Sequence, residues 1–246
     1  MFNSKQSGFT MVELAIVIVI IGLLIGGILA AQSMGETSKV QAQIRQIGQS
    51  DAAVVSFADK YAGMPGDTSS FEVIGSNQDN LVVDSSADGM YDEESAEFWP
   101  QLSASGFKRE EGGEYNNSYI VGTSYPRAAI GYKDNGLLVH GSEDPEILGN
   151  GTIGNAYILA NCGAMTSAAL NCESGLSGNQ AIAIDQKLDD GDLTKGNTRG
   201  MDLASDAGTD TWTDILDATA TAIPAGKTED AAVLVIRIGA TAGNLK

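Results

Sequence analysis

The chain has 246 residues, 43% of them hydrophobic, with 30 glycines and few aromatics, which is room for one compact domain plus an accessory element, or for two small domains. Up to Lys60 four cations (Lys5, Lys39, Arg45, Lys60) balance four anions (Glu13, Glu36, Asp51, Asp59), so the net charge of −18 arises entirely beyond residue 60. A globular part that acidic repels phosphates, so direct nucleic-acid binding is not expected.

The first predicted element is a helix. From Leu14 to Ala31 all eighteen residues are apolar or Gly, nearly enough at 1.5 Å per residue to cross the ~30 Å hydrocarbon core of a bilayer. Phe9 to Val12 extend it, interrupted by the carboxylate of Glu13. An unpaired charge in hydrocarbon costs several kcal/mol at least, so Glu13 calls for a partner. A secretory signal peptide, with Lys5 as its charged flank and cleavage near Ala31, would have a shorter apolar run and no Glu. A plain membrane anchor leaves Glu13 unexplained.

The phrase "SGFTMVEL" resembles the processing site of type IV prepilins and pseudopilins. In that family a short polar leader ends in Gly, a dedicated peptidase cuts after it, and the new N-terminal residue is N-methylated. The resemblance implies a leader over residues 1–8, cleavage after Gly8, a methylated Phe9 as the mature N-terminus, and Glu13 as the carboxylate that directs assembly. Cleavage creates an α-amino group one helical turn from Glu13, and in the family that amine on a neighbouring subunit is thought to receive the carboxylate. On this reading Glu13 gains a partner only after processing.

Between Gln32 and Tyr61 there is no Pro, and apolar residues recur at Val40, Ile44, Ile47, Val54, Ala58 and Tyr61. That is one helical stripe. Gln41, Gln43, Arg45, Gln46 and Gln49 lie off it and are expected on the polar side. Residues 9–31 are therefore read as a membrane or filament-core helix, 32–61 as its amphipathic continuation, and 62–246 as an acidic globular domain. Gly22 to Gly27 is its expected weak point, although a packed, mostly helical segment is the preferred reading.

"YAGMPGD" (Tyr61–Asp67) stops the helix. A second helix is predicted from Glu93 to about Ser103, with Phe98, Trp99 and Leu102 facing the core and Pro100 kinking it. Strands are predicted at Ser118–Thr123, Arg127–Lys133 and Gly136–Gly141, with Asp134-Asn135-Gly136 as a hairpin turn. Asn155–Asn161 reads as a strand or short helix, and Thr166–Leu170 as a helical turn. A helix starting near Ser177 is preferred to a strand, and Ala231–Gly239 is a strand with Val and Ile on both faces. Together these give an α+β, pilin-like architecture: a long N-terminal helix packed on a domain with an antiparallel sheet. "KYAGMPGD", "EFWPQLSASGF" and "IDQKLDDGD" are more loosely similar to segments of a group of large pilin-like proteins.

Cys162 and Cys172 lie nine residues apart in a Gly/Asn/Ser-rich setting. Outside the cytoplasm they would close a disulfide worth roughly 2–3 kcal/mol; the alternative is two free thiols. His140 is the only histidine, no nucleophile motif accompanies it, and no phosphate-binding loop is present, so no catalytic residues are assigned. The expected cofactor is none, with calcium as a candidate at Asp185, Asp189, Asp190 and Asp192 around Gly191, where hard oxygen donors flank a turn. A solvated acidic helix end is the competing reading.

The expected function is that of a structural subunit of a type IV pilus or pilus-like filament, not an enzyme. A minor pseudopilin of a type II secretion system is the alternative within the class. An exported binding or enzymatic domain is the alternative outside it. The partners that the resemblance implies are a prepilin peptidase/methyltransferase, an inner-membrane assembly platform, an assembly ATPase and other pilin subunits. The expected location is the bacterial inner membrane before assembly, with the acidic domain outside the cytoplasm, and a periplasmic or cell-surface filament afterwards.

Overall fold

A computed structural model describes residues 10–66, 98–107, 121–122, 125–131, 135–142, 154–162, 172–173, 175–193, 196–202 and 231–238. The chain divides into two units, residues 1–39 and 40–246. Helix α1, Met11–Tyr61, is continuous through the glycines of residues 22–27.

Within the second unit, the inner face of α1 is formed by Val40, Ile47, Ala53, Val54 and Phe57, all buried. These fall on the predicted stripe or beside it. Polar residues are buried with them: Gln43, Ser50 and Asp51. The placement of Gln43 and Gln46 on the polar side is therefore corrected. The Ala129 N–H donates to Gln43 Oε1 (2.8 Å) and to Gln46 Oε1 (3.2 Å), while Gln46 Nε2 donates to the Arg127 carbonyl (2.8 Å). Two glutamines three apart on the helix thus satisfy backbone groups of the segment around residue 128, which would otherwise lack partners.

The helix stops where the sequence places its stop, but not at a glycine. Ala62 takes the left-handed conformation (φ 56°), and its N–H donates to the Ala58 carbonyl at 2.9 Å. Gly66 follows in a turn pinned by Gln101, whose Oε1 accepts from the Gly66 N–H (2.8 Å). The Phe57 and Tyr61 rings pack tilted at 4.6 Å and both meet Phe107 edge-on at 6.5 Å.

Helix α2, Phe98–Ser105, buries Phe98, Trp99 and Leu102 as expected. Pro100 lies within the described part of α2 and is buried with Gln101. Phe98 and Trp99 pack against Tyr157 with ring centroids 6.3 and 6.4 Å away.

Among the described residues six strands follow: β1 (Gly136–Ser142), β2 (Gly154–Cys162), β3 (Cys172–Glu173), β4 (Leu176–Ser177), β5 (Thr198–Asp202) and β6 (Ala231–Arg237). All pairings among them are antiparallel, with β6 between β2 and β5. Tyr157 sits opposite Ile236 on one side of β6, and Thr198 opposite the same Ile236 on the other. Leu234, Val235 and Ile236 are fully buried, which is why β6 carries Val and Ile without alternation.

The Arg127–Lys133 strand is reduced to a single bridge, Arg127 to Gly136. The chain then bends at Gly131 (φ 95°), where a Cβ would strike the Asn135 amide. Asn135, fully buried, donates from Nδ2 to the Ile130 carbonyl (2.8 Å) and so closes a wider turn than the predicted hairpin. Of Ser118–Thr123 only Val121 and Gly122 are described, with Val121 bridging to Tyr125. The helical turn at residues 166–170 and the start of the second predicted helix lie outside the described residues.

Candidate functional site

The start of α1 is a capping box. The N–H and the hydroxyl of Thr10 both donate to Glu13 Oε2 at 2.8 Å, and the Glu13 N–H donates to Thr10 Oγ1 at 3.3 Å. Glu13 therefore has a partner within its own chain: it satisfies the donors that a helix N-terminus leaves free and sits at the positive end of the helix dipole. Thr10 thus supplies neutral hydrogen-bond donors to the carboxylate within the chain. The signal was the Thr-x-x-Glu spacing itself, masked by the cleavage pattern that overlaps it.

Beyond this cap every side chain from Met11 to Lys39 is exposed within the chain. Leu, Ile and Val point outward all round from residue 12 to residue 29, with no polar face. In water such a surface would need a cover, and α1 is long and apolar enough in this region to cross a membrane.

The acidic end of the third helix is the second candidate. Helix α3, Gly178–Leu188, opens on another capping box: the Gln180 N–H donates to Ser177 Oγ (3.4 Å) and the Ser177 N–H to Gln180 Oε1 (3.2 Å). At its other end Asp189 Oδ2 accepts from the Asn197 N–H, and Asp190 Oδ1 from the Asp192 N–H (2.9 Å). A Cβ at Gly196 (φ 91°) would collide with the Asp189 carboxylate. Asp185 is fully buried, and the Gly191 backbone N–H acts on its carboxylate. Burial, with Asp189 and Asp190 close by and Asp192 adding to them, pushes its carboxyl up to about 6. Among the described residues no three His, Cys, Asp or Glu side chains converge as a metal centre requires. Asp189 and Asp190 accept from backbone N–H groups of the described loop residues Asn197 and Asp192.

Cys162 and Cys172 are placed directly opposite each other in the register of β2 and β3. His140 lies in β1 opposite Ala156. Asp202 ends β5, while Asp206 and Asp210 lie outside the described residues.

The match that decides the reading covers residues 3–29 and spans the capping box and most of the exposed apolar run. The chain carries a prokaryotic N-terminal methylation motif. This is the prepilin motif of type IV pilins and pseudopilins, a structural family, and it implies processing by a prepilin peptidase and assembly with other pilin subunits. The motif and the apolar helix together point to membrane insertion. No curated protein and no solved structure matches the chain.

Proposed function

We propose that the chain is a structural subunit of a type IV pilus or pilus-like filament. A prepilin peptidase/methyltransferase cuts it after Gly8 and methylates Phe9. An inner-membrane platform and an assembly ATPase then pack it, through the first half of α1, against other subunits. The acidic domain lies outside the cytoplasm, in the periplasm or at the cell surface. The observation that carries this reading is the conjunction at one helix end: a methylation motif, a Glu held in the first turn, and an apolar surface that the chain leaves uncovered.

The capping box adds a step to assembly. Glu13 enters the membrane already hydrogen-bonded by Thr10, which lowers the burial penalty that an unpaired carboxylate would meet. Cleavage supplies the α-amino group of Phe9, and the carboxylate exchanges a neutral partner for a charged one on an adjacent subunit. A charge that must find its partner in a low-dielectric setting favours one axial register over others. Glu13→Val should remain inserted and processed but form few filaments, and normal filament yield from that variant would remove the register role.

Mass spectrometry of the mature N-terminus tests the assignment as a whole. A methylated Phe9 is the expected result. A chain still beginning at Met1, or starting near Gln32, overturns it, and the second outcome means ordinary export of a soluble domain. The minor pseudopilin reading differs in abundance: its subunit would be scarce in filaments of which a major subunit forms the bulk.

A further inference from the structure

Asn135 is followed directly by Gly136, at the start of β1. In an open chain an Asn-Gly step loses its side-chain amide readily, because glycine has no Cβ to keep its backbone nitrogen away from the preceding carboxamide. The Gly136 nitrogen attacks Asn135 Cγ and gives up its proton to the departing nitrogen. The Cγ–Nδ2 bond breaks, ammonia leaves, and a cyclic succinimide remains. Water then opens the ring at either carbonyl, which yields an α-linked aspartate or its β-linked isomer. The reaction consumes water and releases ammonia, mole for mole, with no change of oxidation state.

The folded chain blocks this reaction. Asn135 is fully buried, and its Nδ2 donates to the Ile130 carbonyl (2.8 Å). The carboxamide fills a slot between Gly131 and Gly175 so tight that a Cβ on either glycine would overlap it. The Asn135 carbonyl accepts from the Ala128 N–H and the Leu137 N–H donates to the Pro126 carbonyl, both at 2.9 Å, which holds the backbone on each side of Gly136. Gly136 itself is paired with Ala160 in the β1–β2 ladder. For its nitrogen to reach Cγ, the carboxamide must leave the slot and Gly136 must leave the ladder.

The same slot refuses the products. A carboxylate has no hydrogen to offer the Ile130 carbonyl. Among the described residues no donor reaches Asn135 Oδ1 either, so an ionised group there would be buried without compensation. The β-linked isomer inserts an extra backbone CH2 just before β1, at the point where the pairing of Gly136 with Ala160 begins.

We propose that Asn135-Gly136 is a spontaneous modification site that records opening of the domain. It deamidates when β1 parts from Gly131 and Gly175, it is protected while they are together, and a chain once modified does not return to the native fold. Prolonged opening thereby removes a copy from the folded pool for good.

The test ages the full-length chain in detergent micelles at mildly alkaline pH, both folded and in urea, and reads position 135 by peptide mass spectrometry with the two isomers resolved. Asn150-Gly151, the other Asn-Gly step of the chain, confirms that the urea sample is reacting. Loss of the Asn135 amide should be at least about a hundredfold slower in the folded sample, because it proceeds only through the rare open state. The aged urea sample is then returned to native conditions and divided by limited proteolysis. The resistant fraction should keep the Asn135 amide, and chains modified at 135 should collect in the digested fraction. Similar rates in the folded and unfolded samples overturn the protection, and equal shares of modified chain in the two fractions overturn the exclusion. Should the aged chain not refold at all, Asn135→Asp supplies the α-linked product directly. It should fail to fold or melt roughly 10 °C below the wild type, and an unchanged melting temperature overturns the proposal.

Discussion

Helix α1 obeys two different rules along its length. From residue 12 to residue 29 Leu, Ile and Val occupy every face of the helix, and Leu23 is 73% exposed. After residue 40 one face is polar and wet and the other is packed, with Ile47 and Phe57 at 0%. The backbone is the same continuous α-helix in both, so helix propensity does not tell them apart. What differs is where the cover comes from. The second stretch finds it within its own chain, in the aromatic cluster near Phe107 and in the backbone near residue 128. The first is exposed along its described length, and in the proposed function lipid or other subunits cover it.

Truncation should separate the two stretches most sharply. Phe57→Ala is expected to destabilise the fold by about 3–5 kcal/mol, whereas Leu24→Ala should move the unfolding midpoint by less than ~0.5 kcal/mol and act instead on filament yield. Equal effects on the unfolding midpoint would break the comparison. Next in size, if Cys162 and Cys172 are bonded, reduction should lower the midpoint of the second unit by about 2–3 kcal/mol and leave the first half of α1 unaffected. Alkylation of both thiols without reductant would show them free. Gln43→Ala should cost about 1–3 kcal/mol by removing the buried acceptor of the Ala129 N–H, a sizeable loss for a residue that looks polar and dispensable. The smallest expected effect is a gain. Ala62→Gly relieves the left-handed alanine that ends α1 and should raise the unfolding free energy by about 0.5–1 kcal/mol; a loss would mean that the Ala62 methyl is needed.

These pairs also mark where the sequence was readable. α3 could be placed because Ser177 and Gln180 stand at capping-box spacing before Ala181 and Ile184. β6 could be placed because an unbroken Val/Ile run needs cover on both faces. The exposed half of α1 was plain from composition. By contrast, β5 is spelled "TRGMD", with a glycine and two charges in five residues, and it is a strand only because β6 offers it a ladder. Gln43 and Gln46 looked like solvent-facing residues because their partners lie more than eighty positions away and belong to the backbone, which leaves no sign in a side-chain pattern. At the candidate site, the processing pattern was legible in Gly8, Phe9 and Glu13. The role of Thr10 was equally legible, but the residues that spell the cap also spell the cleavage signal. Asp185 could be seen as one of four acids; its burial could not, since that depends on how α3 sits on β5 and β6.

The position of β6 has a consequence for biosynthesis. It follows every other described element along the chain, yet it joins β2 to β4 and β5. A nascent polypeptide that has emerged only as far as β5 can zip β1 to β2 but leaves the far edge of β2 open and β5 without a neighbour. The domain therefore closes in a single late event, after the apolar N-terminal segment has been synthesised, and the long-range pairings required make that closure slow compared with helix formation. A cell that makes this chain must shield an open strand edge throughout that interval.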